Sequence, residues 1–127
     1  MATTTPSPAP KPHIDASAAA RLAVDVASDR QAEDIVLLDV HEISSFADYM
    51  VLMSAGSVRQ ANALASELEA AIERAGLDMH HREGTGDSGW VLLDFGDLVL
   101  HVFGQEQREF YQLQQVWKAA KQVVRIQ

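Results

Sequence analysis

The side chains best suited to recognising a partner lie between residues 90 and 101, where an aromatic ring, an imidazole and two carboxylates follow one another. Side chains alternate between the two faces of a strand. In a hairpin with a two-residue turn, this alternation places Trp90, Asp94, Asp97 and His101 on one face. Such a face would fit a basic protein patch, because tryptophan supplies contact area and carboxylates meet Arg or Lys. The residues equally allow a core tryptophan with two solvated turn aspartates.

The predicted hairpin turn is Phe95-Gly96, which sets the pairing of the two strands. The paired residues would be Asp94 with Asp97, Leu92 with Val99, and Trp90 with His101. The opposite face is purely aliphatic and is expected to lie in the core; it consists of Val91, Leu93, Leu98, Leu100 and Val102.

Gly56-Ser57 at the start of a predicted helix suggests an enzymatic alternative. In a nucleotidyltransferase, a helix N-terminus would hold phosphate and nearby carboxylates would hold magnesium. A D-x-D pair on a neighbouring strand is missing, and Asp94 and Asp97 bracket a turn instead. Ser57 is explained more simply as a helix N-cap. We therefore expect no enzyme, and keep a nucleotide-binding or nucleotidyltransferase-like enzyme as the alternative.

Three of the five histidines, His80, His81 and His101, could suggest zinc. The first two point to opposite faces of their strand, so at most one could join His101. A hydrogen-bonded structural role is the better expectation for His101. The chain has no cysteine, which removes thiolate chemistry and Cys-ligated metals. We expect no cofactor, no metal and no catalytic residue.

Composition restricts the class of protein further. A chain of 127 residues fits one ordinary domain. Its 18 acidic and 10 basic side chains give a net charge of -8, which argues against direct binding of nucleic acid. Neither a long apolar run nor a signal peptide is readable. We therefore expect a cytoplasmic protein that does not contact a membrane.

Hydrophobic periodicity predicts a single α/β domain with a mixed sheet of about five strands flanked by helices. Residues 1–13 contain all four prolines and are predicted to be a disordered tail, with the domain at 14–127. Helices are predicted from Asp15 or Ser17 to about Gln31, from Ser57 to Gly76, and from Gln105 to about Val124. Strands are predicted at 35–40, 49–53 and 79–83, and in the 90–103 hairpin.

Charge is segregated along the chain. Residues 13–109 hold all 18 acidic side chains and six arginines, a net charge of -12, whereas residues 110–127 carry +3. The basic end could pair with the acidic body, mediate self-association, or complement the dipole of a final helix. The sequence leaves these three possibilities open.

The order and spacing of several short motifs resemble the ribosomal silencing factor family, also called the Iojap family. The resemblance covers roughly residues 17–118. Its pieces are Asp48-Tyr49 before an apolar strand, Ser54 to Gln60, Glu83-Gly84, Trp90 to Asp97, His101 to Phe103, and Arg108-x-Phe-Tyr-x-Leu113 with Trp117. Each piece is weak alone, but together they are highly specific.

This resemblance implies a fold similar to the nucleotidyltransferase fold without its catalytic carboxylates. It also implies a function. Members of the family bind the fourteenth ribosomal protein of the large subunit where the small subunit would dock. They thereby block subunit joining and lower translation when nutrients are scarce. The mechanism would be steric occlusion, and the free protein would be a homodimer.

The resemblance also implies which residues face the partner. The main candidates are Trp90, Asp94, Phe95, Asp97 and His101, and the supporting positions are Arg59, Glu83, Arg108 and Tyr111. The chain departs from the family pattern at Phe95, where tyrosine is usual, and at Gln114, where glutamate is usual. The first change removes a hydroxyl group and the second removes a negative charge.

Overall fold

A computed structural model of the chain describes residues 13–106 and 120–127. These residues form a six-stranded mixed sheet with two α-helices, which confirms the predicted α/β class. The elements are α1 (Ala16–Asp29), β1 (Glu33–Asp39), β2 (Tyr49–Ala55), α2 (Val58–Ala75), β3 (His81–Glu83), a 3-10 turn (Gly86–Ser88), β4 (Trp90–Asp94), β5 (Leu98–Gly104) and β6 (Lys121–Ile126). The predicted proline-rich tail falls almost wholly outside the described residues.

The strands lie in the order β3-β4-β5-β2-β1-β6. Strands β2 and β5 run parallel, and the other neighbouring pairs in this sheet are antiparallel. The predicted adjacency of the first two strands is confirmed, since Val36 pairs with Leu52. The β1–β2 loop and the β4–β5 turn therefore lie together where strands β2 and β5 begin, while α2 begins near the other end of these strands.

Both helices pack on the same face of the sheet. Helix α1 contributes small side chains to the core, which allow close approach to its neighbours; its buried residues are Ala19, Ala20, Ala23, Val24 and Ala27. The predicted aliphatic face of the hairpin is confirmed as core, because Val91, Leu93, Leu98, Leu100 and Val102 are each 0% exposed. On the other face, Phe103 of β5 belongs to a second buried cluster, whereas Trp90 of β4 is only partly buried.

Helix α2 begins as its sequence predicts. The Ser57 hydroxyl oxygen accepts a hydrogen bond from the Gln60 backbone N–H at 3.0 Å, which stabilises a helix by about 1 kcal/mol. The Gln60 side-chain oxygen accepts from the Gly56 N–H at 2.6 Å, and its amide donates to the carbonyls of Arg30 and Gln31. Gln60 thus joins the start of α2 to the end of α1. No helix in the described part of the chain combines the length and apolarity needed to cross a membrane.

The C-terminal helix prediction is wrong at its end, because residues 121–126 form strand β6 on the edge of β1. The run from Val123 to Ile126 is rich in β-branched residues, which favour strands. Arg125 donates to the Asp34 carboxylate at 3.1 Å, so at least this base pairs with the acidic body. The helix-dipole possibility fails here because the segment is not helical. Residues 107–119 lie outside the described part.

Candidate partner-binding face

The β4–β5 hairpin pairs two residues away from the predicted register. Phe95 N–H donates to the Leu98 carbonyl at 2.8 Å, so the turn is Gly96-Asp97. Gly96 has φ +87°, a conformation that suits glycine at the first position of a hairpin turn and disfavours phenylalanine. The observed pairs are Asp94 with Val99, Leu92 with His101, and Trp90 with Phe103. A shift of two residues keeps the strand side chains on their predicted faces, but Asp97 becomes a turn residue that lines a cavity with the start of α1.

We define the Trp90 face as the side chains of β3, β4 and β5 on the side of the sheet opposite α1 and α2. Its centre is Trp90, which is partly buried and packs against a second cluster of apolar residues that includes Phe103. The two ring centroids are 5.1 Å apart. The indole is therefore fixed in place while part of it stays accessible.

His101 orients this indole. The Trp90 Nε1–H donates to His101 Nδ1 at 3.1 Å. Since the indole nitrogen can only donate, the neutral His101 ring must carry its proton on Nε2. His101, one of the predicted partner-facing residues, is only 4% exposed in the free chain. Its observed role is to position Trp90, in keeping with the expected structural histidine.

Phe95, another of the predicted partner-facing residues, does not lie on the Trp90 face. It is 1% exposed and belongs to the core beneath the helices. The reason is strand alternation, because Phe95 follows Val91 and Leu93 at even spacing and so shares their buried face. The hydroxyl of the usual tyrosine would have to be accommodated at a position that this chain fills with an apolar ring.

A cavity of about 330 Å³ opens beside the indole and is lined by Glu83, Ser88, Trp90 and Leu92. The pairing of Glu83 with Leu92 brings the predicted carboxylate here. Leu92, half exposed, was not among the predicted site residues, although alternation from Trp90 places it on this face. The loop before β4 passes closely, since a Cβ on Gly84 would lie 2.1 Å from the Trp90 carbonyl oxygen.

The two aspartates lie at the far end of the hairpin from the indole. Asp94 is four residues from Trp90 along one strand, a distance of about 13 Å. Its carboxylate accepts from the Gly96 N–H at 2.8 Å, so one oxygen stabilises the turn. Asp97 is exposed. Its backbone carbonyl accepts from the N–H groups of Asp48 and Tyr49, which fixes the turn against the β1–β2 loop.

The remaining supporting positions are not brought to this face. Arg59 is exposed in the first turn of α2, a helix that packs on the opposite side of the sheet. Arg108 and Tyr111 lie outside the described residues. Of the nine predicted positions, Trp90, Glu83, Asp94 and Asp97 therefore remain as accessible or partly accessible candidates on the hairpin and its neighbouring strand.

The start of α2 is a separate cleft whose lining includes Gly56, Ser57, Gly86, Asp87 and Glu106. The Ser57 oxygen caps the helix, and the two acidic residues would repel a phosphate. Across residues 13–106 and 120–127, no group of three His, Asp or Glu side chains could hold a metal ion. Neither the magnesium nor the zinc alternative gains a ligand set in this part of the chain.

Comparisons with known proteins give a consistent result. A family model described as "Ribosomal silencing factor during starvation" matches residues 13–127. A protein of Halalkalibacterium halodurans named ribosomal silencing factor RsfS is 36% identical over 103 residues, 81% of this chain and 88% of that protein. The chloroplastic protein Iojap of Arabidopsis thaliana is 34% identical over 101 residues, 77% of this chain and 41% of that protein.

Two solved structures share this fold. A crystal structure of a Chromobacterium violaceum protein matches with a TM-score of 0.79 and 30% sequence identity, covering 83% of this chain and 88% of that one. A crystal structure of a Bacillus halodurans protein matches with a TM-score of 0.70 and 34% identity, covering 82% and 94%. The similarity therefore extends over most of each chain.

Proposed function

Because the chain belongs to the ribosomal silencing factor family, whose role is regulatory and not enzymatic, we propose that it silences ribosomes by steric occlusion. It binds the fourteenth ribosomal protein of the large subunit and occupies the surface where the small subunit docks. Direct contact with nucleic acid is not required. When free, the chain forms a homodimer.

The observation that carries this proposal is the Trp90 face. A partly accessible indole is held by a hydrogen bond to His101 at 3.1 Å and by a tilted ring contact with Phe103. A side chain that is already ordered loses less conformational entropy when it is buried by a partner. Tryptophan in such a setting is typical of the residues that dominate binding energy.

The surroundings of the indole favour a basic protein as the partner. The cavity beside Trp90 can receive an aliphatic stem, and Glu83 on its rim can meet the charged end of Lys or Arg. Asp97 adds a second exposed carboxylate at the turn. Long basic side chains have this combination of apolar stem and charged tip. The face therefore suits a basic protein surface better than an RNA backbone, whose phosphates would meet carboxylates.

Charge reversal on this face tests the proposal. In the double variant Glu83→Lys/Asp97→Lys, two exposed carboxylates become bases that would repel a basic partner. We expect binding to purified large subunits, measured by cosedimentation, to weaken by about tenfold or more. We also expect the variant to lose the ability of the wild-type chain to block joining of small subunits. Trp90→Ala should weaken binding similarly by removing the anchor.

A matched control is available on the helical side of the molecule. Asp25→Lys/Glu73→Lys makes the same change in net charge at exposed positions on α1 and α2, and should leave binding unchanged. Circular dichroism checks that all variants are folded. Equal loss of binding in both double variants, or in neither, would reject the Trp90 face as the interface. Light scattering of the unbound wild-type chain should give twice its 13.9 kDa mass.

A further inference from the structure

The loop between β1 and β2, residues 40–48, displays two apolar side chains that the fold does not bury. Phe46 is 84% exposed and Ile43 is 42% exposed. Isolated exposed apolar residues are common and need no explanation. Here the two are three residues apart in one loop, and the side chain of Phe46 is larger than any other exposed apolar side chain among the described residues.

This loop is ordered by its own hydrogen bonds. The N–H groups of Ile43 and Ser44 donate to the Val40 carbonyl at 3.0 and 2.8 Å. The Ser44 hydroxyl oxygen accepts from the Phe46 N–H at 3.1 Å, and Val40 N–H closes the base of the loop on the Asp48 carbonyl. Phe46 is thus presented from a closed turn, which lowers the entropy lost on binding.

The same loop carries carboxylates. Glu42 and Asp48 are exposed within it, and Glu42 lines a small cleft with Ile43. Asp97 is hydrogen-bonded through its carbonyl to the N–H of Asp48. Among the described residues, Lys121 lies beside His41 and Glu42, His41 is engaged by Asp39, and His13 lines a cavity with Asp48 and Asp97.

We propose that Phe46, with Ile43, is a second anchor for the basic protein that the Trp90 face binds, and that Glu42, Asp48 and Asp97 form its acidic rim. The inference rests on the proposed function, because it extends the same interface. The β4–β5 turn joins the two regions, since Asp97 belongs to the Trp90 hairpin and its backbone contacts the β1–β2 loop. A second copy of this acidic chain would place like charges against this rim, which disfavours self-association here.

Binding kinetics to purified large ribosomal subunits test the second anchor. Phe46→Ser removes an exposed ring without disturbing the core, so folding should be unaffected. We expect affinity to fall by about tenfold or more, mainly through faster dissociation. Glu42→Lys/Asp48→Lys should instead slow association, and the effect should shrink at high salt, because exposed charges act on the encounter.

The matched control is Val58→Ser, which removes another exposed apolar side chain, 47% accessible, at the start of α2. It should bind large subunits as the wild type does. If the wild-type chain binds and Phe46→Ser binds equally well, the second anchor is overturned and the proposed function stands. Loss of the homodimer with intact subunit binding would also overturn it. Failure of the wild-type chain to bind large subunits would overturn both proposals.

Discussion

Two side chains are each fixed by one hydrogen bond to a neighbouring side chain: Trp90 by His101 and His41 by Asp39. Trp90 is oriented by His101, which pairs with Leu92 in the adjacent strand. His41, two residues beyond Asp39, donates its Nδ1–H to the Asp39 carboxylate at 2.5 Å. The two arrangements differ in exposure, because His101 is buried whereas the His41 side chain is 53% exposed. Only the second therefore lies in contact with solvent.

The hydrogen bond that the Asp39 carboxylate accepts from His41 raises the pKa of His41 above 6.5 and lowers that of Asp39 below 3.8. The contribution of His41 to stability is complete below pH 6.5 and is lost as pH rises through its folded pKa. The contribution of Asp39 is present above pH 3.8 and is lost as pH falls through its own folded pKa. The pair therefore stabilises the fold between the folded pKa of Asp39 and the folded pKa of His41. The effect is weak, because solvent screens the pair.

The pair predicts a change in titration that NMR can measure. In Asp39→Asn, the hydrogen-bonding charge is gone, so the pKa of His41 should fall towards 6.5. Glu42→Gln is the matched control and should lower this pKa less, because Glu42 lies 3.8 Å from Nε2 and acts only through its charge. A His41 titration midpoint that Asp39→Asn leaves in place would contradict the assignment.

At the scale of elements, α1 and α2 end in the same backbone motif with different residues. In α1, the N–H groups of Gln31 and Ala32 donate to Ser28 and Ala27. In α2, Gly76 and Leu77 donate to Glu73 and Ile72 at the equivalent positions. Both patterns place one residue in the left-handed region. Gln31 has φ +62° there, whereas α2 uses glycine with φ +112°.

This difference predicts a stabilising substitution. Gln31→Gly should raise the free energy of unfolding by about 1 kcal/mol, because glycine adopts the left-handed region without the steric cost of a side chain. The carbonyl that Gln60 contacts is retained, since it belongs to the backbone. Gly76→Ala, the reverse change in α2, should lower the free energy by a similar amount. Urea denaturation measures both; a Gln31→Gly variant less stable than wild type would contradict the prediction.

Features that depend on nearby residues were predicted correctly, whereas features that depend on pairing with distant strands were not. The N-cap Ser57 and the β1 and β2 strands were predicted correctly, because capping and burial on both faces depend on nearby residues. The hairpin register was wrong by two residues. The turn is Gly96-Asp97, and Phe95, which was expected in the turn, is buried in the core. Strand β6 was missed because its stability comes from pairing with β1, more than 80 residues earlier in the chain.

The candidate site was predictable only in part for the same reason. Alternation alone placed Trp90 and Asp94 on one face. Sequence paired Trp90 with His101 only through a shifted register. It could not show their hydrogen bond, or that Glu83 lines a cavity with Leu92, because both depend on the pairing between strands. Nor could it show that Asp48 of the β1–β2 loop contacts Asp97 of the β4–β5 turn. That proximity arises from the parallel pairing of β2 with β5.

At the scale of the whole molecule, the acidic surplus is part of the proposed recognition. Residues 13–109 carry a net charge of -12, and the Trp90 face and the β1–β2 loop both present exposed carboxylates. The acidic body would repel RNA phosphates and attract a basic protein patch at long range. The Arg125–Asp34 pair shows that the basic C-terminal strand is used within the chain, so it is not the part expected to steer binding.

This charge distribution predicts how salt affects binding to the purified fourteenth ribosomal protein. Raising salt from about 0.1 M to about 1 M shortens the screening length from about 10 to about 3 Å. The association rate should fall by about tenfold or more, while dissociation, governed by the apolar anchors, should change less. The control Asp25→Lys/Glu73→Lys should keep a similar salt dependence, and Glu83→Lys/Asp97→Lys should lose most of it. An association rate in the wild type that salt leaves unchanged would show that the acidic surplus does not guide recognition.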